Sequence, residues 1–415
     1  MASSSLATIG ILSIGDMGMG IAKLLVAKGF SVATNCSGRS KETRERVKAA
    51  QVTDVPLDTD LVRQCDVILS IVPPRDAAAT AQRVIDAMQL VTRKEEAPLY
   101  FADLNAVAPS TVKAIARTIE RAGVPVALID GSVLGAPPYP ADGTSTSGSP
   151  TAAVGGWNMP SVPTSGPVRV ADIAGYGATL AEALNMKHIS PEIGASSGLK
   201  MCFASLSKGY SAVAVQSFTT AERMGVLGPL REAMQEIVPS RVKETENALV
   251  GMPPKAYRWV GEMEEIARTH SEEGGFEDTL FRGAAGVFKA VAEDTVLGEE
   301  KIGQRKRGRT AEDTTQRKRR INLLVLSSII NGRAMENLAA SSSGRSRIHV
   351  FIGRAQAEQG DLDGVMPVAG PPQPAHNSLV AGGKKAKLAV ELKLNLEIEI
   401  ELKVRIQGDL TLELF

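Results

Sequence analysis

The chain has 415 residues, is 43% hydrophobic and 22% charged, and carries a net charge of +1. So even a balance offers no argument for a nucleic-acid or membrane-surface partner, and no apolar run reaches the roughly 18 residues of a membrane span. The length asks for two or three domains.

Three cysteines, Cys36, Cys65 and Cys202, lack C-x-x-C spacing and point to a reduced, cytoplasmic protein. The histidines at 188, 270, 349 and 376 have no metal-ligand spacing, so no metal is expected. The opening Met1-Ala2-Ser3-Ser4-Ser5 has no basic region, and the apolar residues after it read as a first strand rather than a signal peptide.

Residues 8–130 alternate strand and helix signals. Strands are predicted at Ile9–Ile14, Phe30–Thr34, Val67–Val72, Leu99–Leu104 and Val126–Asp130, with helices at Met19–Lys28, Ala77–Met88 and Ser110–Ala122 between them. Such alternation makes a parallel, doubly wound sheet. A Pro/Gly/Ser/Thr-rich stretch, 136–160, reads as a long surface loop, followed by a short strand near Val162–Ser165 and a small helix within Val168–Asn185. From Ser196, Leu199, Cys202, Phe203, Leu206, Tyr210, Val213 and Ser217 recur at helical spacing, and helices follow at 228–249, 254–270 and 276–296. After Leu297 come two basic clusters, Arg305–Arg309 and Arg317–Arg320, then Gly/Ser/Pro-rich sequence. Strict alternation from Leu388 to Ile406 shows no obvious partner. The domains expected are 7–193, 194–313 and a tail at 314–415, read as disordered or as an incorrect gene model. The basic clusters resemble a nuclear-import patch but read more simply as solvated runs.

Three short motifs carry chemistry. In Ser13-Ile14-Gly15-Asp16-Met17-Gly18, a strand enters a glycine turn that opens a helix. That layout seats a dinucleotide pyrophosphate on a helix N-terminus, with Gly15 admitting the phosphates and Gly18 allowing close packing. Ser13 stands where G-x-G-x-x-G has its first glycine. After the second strand, no acid is available for a ribose 2′-OH. Arg39, flanked by Ser37 and Ser40, suits a 2′-phosphate, which favours NADP over NAD. Third, Lys200 follows Gly194-Ala195-Ser196-Ser197-Gly198-Leu199 at the start of an apolar helix; partial burial there lowers a lysine pKa into the range of proton exchange. A lysine snorkelling to solvent is the plainer alternative. Asp103 and Asp130 at strand ends read as turn or cap residues, and Glu262, Glu264 and Glu265 as a solvated helix face. Trp259 and Tyr257 read as packing or dimer contacts.

These residues resemble the β-hydroxyacid dehydrogenases, relatives of 6-phosphogluconate dehydrogenase. The family's G-x-G-x-M-G is matched by Ser13, Gly15, Met17 and Gly18, D-x-P-V-S-G-G in part by Asp130–Ala136, and G-x-x-x-x-x-K by Gly194–Lys200. Leu199–Gly209 and Arg258–Met263 look like a less characterised branch with its own helical C-terminal domain. The resemblance implies a Rossmann-type sheet domain, an all-α domain and a homodimer formed through the helices. It also implies hydride transfer between NADP and a small hydroxy acid, with Lys200 as general acid/base. Ser13, Gly15, Asp16, Met17, Gly18, Ser37, Arg39, Ser40, Val72, Pro73 and Asn105 would hold the cofactor, and Ser132, Val133, Gly135 and Phe203 the substrate. Phe203 and Ala204 stand where the family has an Asn, and Leu134 where a serine is common. A catalytically idle NADP-binding protein and an imine-type reductase are the competing expectations.

Overall fold

A computed structural model of the chain describes residues 5–93, 97–141, 153–154, 156–295, 297–299, 348–350 and 400–402. The chain divides into two compact units, 1–323 and 324–415.

The first unit is built on an eight-stranded sheet. Its first half runs β1 (Thr8–Leu12), α1 (Asp16–Ala27), β2 (Ser31–Thr34), α2 (Lys41–Ala49), β3 (Thr53–Asp54) and α3 (Asp58–Gln64). Its second half runs β4 (Val67–Ser70), α4 (Ala77–Gln89), β5 (Leu99–Asp103), α5 (Pro109–Ala122) and β6 (Val126–Gly131). In space the six strands stand in the order β3-β2-β1-β4-β5-β6, all parallel. This is the Rossmann order, whose direction of winding reverses between β1 and β4 and opens a ligand crevice at the carboxyl ends of those strands.

The sequence forms this sheet because its strands are apolar without interruption. Val67-Ile68-Leu69-Ser70 is buried throughout, as a parallel strand covered on both faces must be. One face packs Ile9, Ile11, Val32 and Leu69 with Ile21, Leu24 and Leu25 of α1. The other packs Leu12, Ile68 and Phe101 with Val84 and Ile85 of α4 and Val112 and Ile115 of α5.

The described residues of segment 136–160 include short strands. Within it β7 (Tyr139–Pro140), β8 (Ala153–Val154) and β9 (Trp157–Asn158) form a small antiparallel sheet. Then β10 (Val162–Ser165) joins the main sheet antiparallel to β6, and after α6 (Gly177–Ala183) β11 (Met186–Ser190) pairs parallel with β10.

Helices α7 (Ala195–Ala204), α8 (Tyr210–Arg223), α9 (Leu227–Ile237), α10 (Pro239–Gly251), α11 (Ala256–Glu272) and α12 (Thr279–Asp294) form the helical region. Its core gathers Met201, Val215, Phe218, Leu249, Met263, Ile266 and Phe288. Here one expectation is reversed. Leu199, Phe203, Leu206 and Val213, taken from the sequence as a buried stripe, are 42%, 51%, 79% and 53% exposed. The buried face is instead Met201, Ala204, Ala212 and Val215. The face is already set within α7, before the π-turn at Ser205–Gly209: an apolar row at helical spacing marks a face without saying what covers it.

Among the described residues no helix is long and apolar enough to cross a membrane. In the second unit, β12 (Ile348–Val350) pairs in parallel with β13 (Ile400–Leu402). The alternating segment therefore has, at Ile400–Leu402, a partner strand that the sequence did not reveal. Both basic clusters and the rest of the tail lie outside the described residues.

Candidate active site

The glycine turn lies at the β1–α1 junction. Helix α1 begins at Gly15 with no side-chain cap, so its first N–H groups are left for an external acceptor. A Cβ on Gly15 would meet nothing within 4 Å, whereas one on Gly18 would lie 2.1 Å from the Ser13 carbonyl oxygen. Gly15 therefore faces open space, and Gly18 packs closely on the strand end. Ser13 and Met17 are half-buried, and the Asp16 side chain is exposed.

At the end of β2, Ser37, Arg39 and Ser40 are all exposed. Ser40 caps α2 through the Thr43 N–H, and the Ser37 hydroxyl donates to the Pro56 carbonyl at 2.7 Å. The nearby acids are engaged. Asp58 receives the Arg83 guanidinium through both oxygens, and Asp54 accepts the Cys36 N–H. Arg39 has no ion-pair partner among the described residues. Sequence reading missed Arg46, whose Nε donates to the Ile14 carbonyl at 2.9 Å and so braces the glycine turn from α2.

Asn105 follows β5 and is buried. Its Oδ1 accepts the Val72 N–H at 2.6 Å, and its Nδ2 faces Ser70 Oγ at 2.9 Å and Asp103 Oδ2 at 3.0 Å. Its side chain thus shapes the ends of β4 and β5, setting Val72 and Pro73 beside the crevice. Burial pushes the Asp103 carboxyl up to about 7, against the hydrogen bonds from Asn105 that favour its charged form.

Lys200 rides on α7, and the structure explains how that helix is aimed. Asp130, fully buried at the end of β6, accepts the Gly194 N–H at 2.8 Å, the Ser197 hydroxyl at 2.7 Å and the Ser165 hydroxyl at 2.7 Å. A carboxylate at a helix N-terminus also favours the helix dipole. The strand-end aspartate is therefore a cap, delivered from 64 residues away. Lys200 Nζ donates to the Val133 carbonyl at 2.6 Å. Burial, aided by the Arg258 charge, lowers its pKa from 10.5 to about 8.

One other site expectation needs correction. Ser132 was expected to hold substrate, but it is fully buried and its hydroxyl lies 3.0 Å from Ser196 Oγ. It locks β6 onto α7 and presents nothing to a ligand. Gly135 stays exposed at φ 130°, where a Cβ would crowd Pro160.

The expected solvated face of α11 is solvated only at Glu264. Glu265 accepts the Ala108 N–H at 2.7 Å and the Thr111 hydroxyl at 2.8 Å, tying α11 to the start of α5. Glu262 is buried and ion-paired with Lys208 of the π-turn, whose ammonium sits 5.2 Å from the Trp259 ring centre. Burial and the Lys200, Arg258 and Lys255 charges push the Lys208 pKa down, and Glu262 lies beside it as its ion-pair partner. Lys208 lies two helical turns after Lys200, a spacing visible in the sequence.

Residues 8–91 match the family model described as NADP oxidoreductase, coenzyme F420-dependent. Residues 221–291 match a domain of unknown function, DUF1932. The two stretches contain the glycine turn and the helices α9 to α11. No curated protein matches the chain. Among solved structures it is similar to a conserved hypothetical protein from Sinorhizobium meliloti, at 21% identity over 75% of this chain and 95% of that one, TM-score 0.49. It is also similar to a 3-hydroxyisobutyrate dehydrogenase from Salmonella typhimurium, at 17% over 74% and 98%, TM-score 0.49. A third is the Mycobacterium tuberculosis 3-hydroxyisobutyrate dehydrogenase with L-serine, at 16% over 69% and 94%, TM-score 0.49.

Proposed function

We propose that the protein is an NADP-dependent oxidoreductase acting on a hydroxy-acid/oxo-acid couple, with Lys200 exchanging the hydroxyl proton. The observation that carries this reading is Lys200 itself, a lysine held on the Val133 carbonyl with its pKa lowered to about 8. A group of that pKa gives and takes a proton near neutrality. The open N-terminus of α1 at Gly15 fits a pyrophosphate, and the unpaired Arg39 fits a 2′-phosphate. When bound there, the nicotinamide cofactor supplies hydride acceptance or donation. Val72 and Pro73 line its side of the crevice, the Val133 carbonyl orients Nζ, and Nζ takes the proton in oxidation or returns it in reduction.

The resemblance to enzymes that pair through their helices also supports a homodimer. The observation in its favour is the uncovered row Leu199, Phe203, Leu206 and Val213, since contiguous exposed apolar surface marks association sites.

The test mixes full-length protein with NADP and a panel of hydroxy acids, or with NADPH and the matching carbonyls and imines, and tracks reduced-nicotinamide absorbance. Turnover should vanish in Lys200→Ala while NADPH still binds. Oxidation rates should rise with pH toward a plateau above about 8, because the neutral amine is the base. An equally active Lys200→Ala would end the proposal.

A further inference from the structure

We propose that Arg46 is a positioning residue for cofactor choice: it ties the turn that bears Arg39 to the glycine turn, so that one dinucleotide meets both at once. The inference deepens the reading of Arg39 as the 2′-phosphate contact and rests on it.

The two halves of the cofactor site follow different strands, Gly15 after β1 and Arg39 after β2. The ladder between these strands ends at Gly10 and Ala33, before either turn. A dinucleotide with a 2′-phosphate brings an anion to each half, the pyrophosphate to one and the 2′-phosphate to the other. Two such contacts reinforce each other only where their spacing is held at that of the ligand.

Arg46 supplies the hold. It is half-buried on α2. Its Nε donates to the carbonyl of Ile14, the residue before Gly15, at 2.9 Å. Its Nη2 donates to Thr43 Oγ1 at 3.2 Å, and that oxygen lies 3.3 Å from the hydroxyl of Ser40, the residue after Arg39. The Arg39 turn is itself closed, with the Arg39 N–H on the Cys36 carbonyl at 3.0 Å and Gly38 at φ 71°. Fixing Ser40 therefore fixes the backbone of Arg39. The start of the turn is pinned separately, by Asn35, which donates to Asp58 and accepts the Ser37 N–H, both at 2.8 Å. A planar guanidinium sets two acceptors at a fixed angle, which the point charge of a lysine does not.

The experiment is fluorescence titration of full-length protein with NADPH and NADH, on wild type, Arg46→Ala, Arg39→Ala and the double variant, with a thermal melt of each. Arg46→Ala should weaken NADPH about tenfold, and NADH by no more than about twofold. The double variant should bind NADPH about as weakly as Arg39→Ala alone, because coupled residues do not add. Arg46→Lys should behave like Arg46→Ala. Thr43→Val cuts the link while leaving Arg46 on Ile14; it should show the same selective loss to a smaller degree, and it decides the matter if Arg46→Ala fails to fold. Equal losses of NADPH and NADH, additive losses in the double variant, or an Arg46→Lys protein that binds NADPH like wild type overturns the proposal. A wild type that binds neither cofactor ends the oxidoreductase reading as a whole. One that binds both equally ends the 2′-phosphate reading and this inference with it.

Discussion

Replacing Lys200 with Met should abolish turnover and yet stabilise the protein at neutral pH. The pKa lowered from 10.5 to about 8 means that holding this ammonium in its site costs about 3 kcal/mol, at roughly 1.4 kcal/mol per tenfold. Methionine fills much the same volume without the charge. Against that gain stands the hydrogen bond to the buried Val133 carbonyl, whose loss costs about 1–2 kcal/mol. The expected net effect at pH 7 is a gain of about 1–2 kcal/mol. The sign of its pH dependence comes from the folded-state pKa lying below the unfolded one. The penalty is fully present below about pH 8 and is relieved as pH rises to 10.5, because there the unfolded chain binds the proton and the folded one does not. Urea unfolding of both proteins at pH 7 and at about pH 10.5 should therefore show the methionine variant ahead at the lower pH and level or behind at the higher. A stability difference that stays constant across this range would refute the argument that the lysine is held against its own solvation.

The same geometry sets the outcome of four further substitutions. Gly15→Ala should fold normally, since its Cβ meets open space, but should bind NADPH at least about tenfold more weakly by blocking the phosphate approach. Gly18→Ala should lose stability as well, because its Cβ collides with the Ser13 carbonyl, and a thermal melt separates the two. Arg39→Ala should weaken NADPH far more than NADH in fluorescence titrations, and equal losses would remove the case for a 2′-phosphate contact. Glu262→Ala should destabilise by about 3–5 kcal/mol by leaving Lys208 buried and unpaired. The joint change Lys208→Met with Glu262→Leu should restore most of this in the same urea assay. If both proteins lose equally, the ion pair is not the origin of the effect.

Local chemistry made much of this protein legible in its sequence. Uninterrupted apolar strands, helices between them and a glycine turn depend on nearest neighbours and on periodicity, so the sheet and the glycine turn at Gly15 were visible. Lys200 was visible because it comes just after a glycine-rich helix entry. What tertiary structure alone decided were groups whose partners are distant in the chain. Asp130 caps a helix 64 residues away, Ser132 is spent on Ser196, and Glu262 is buried by Lys208 rather than solvated. The apolar row of Leu199, Phe203, Leu206 and Val213 faces outward, because periodicity marks a face without naming what packs on it. Burial and charge pairing are properties of what packs against a residue, and a sequence specifies that only through the whole fold.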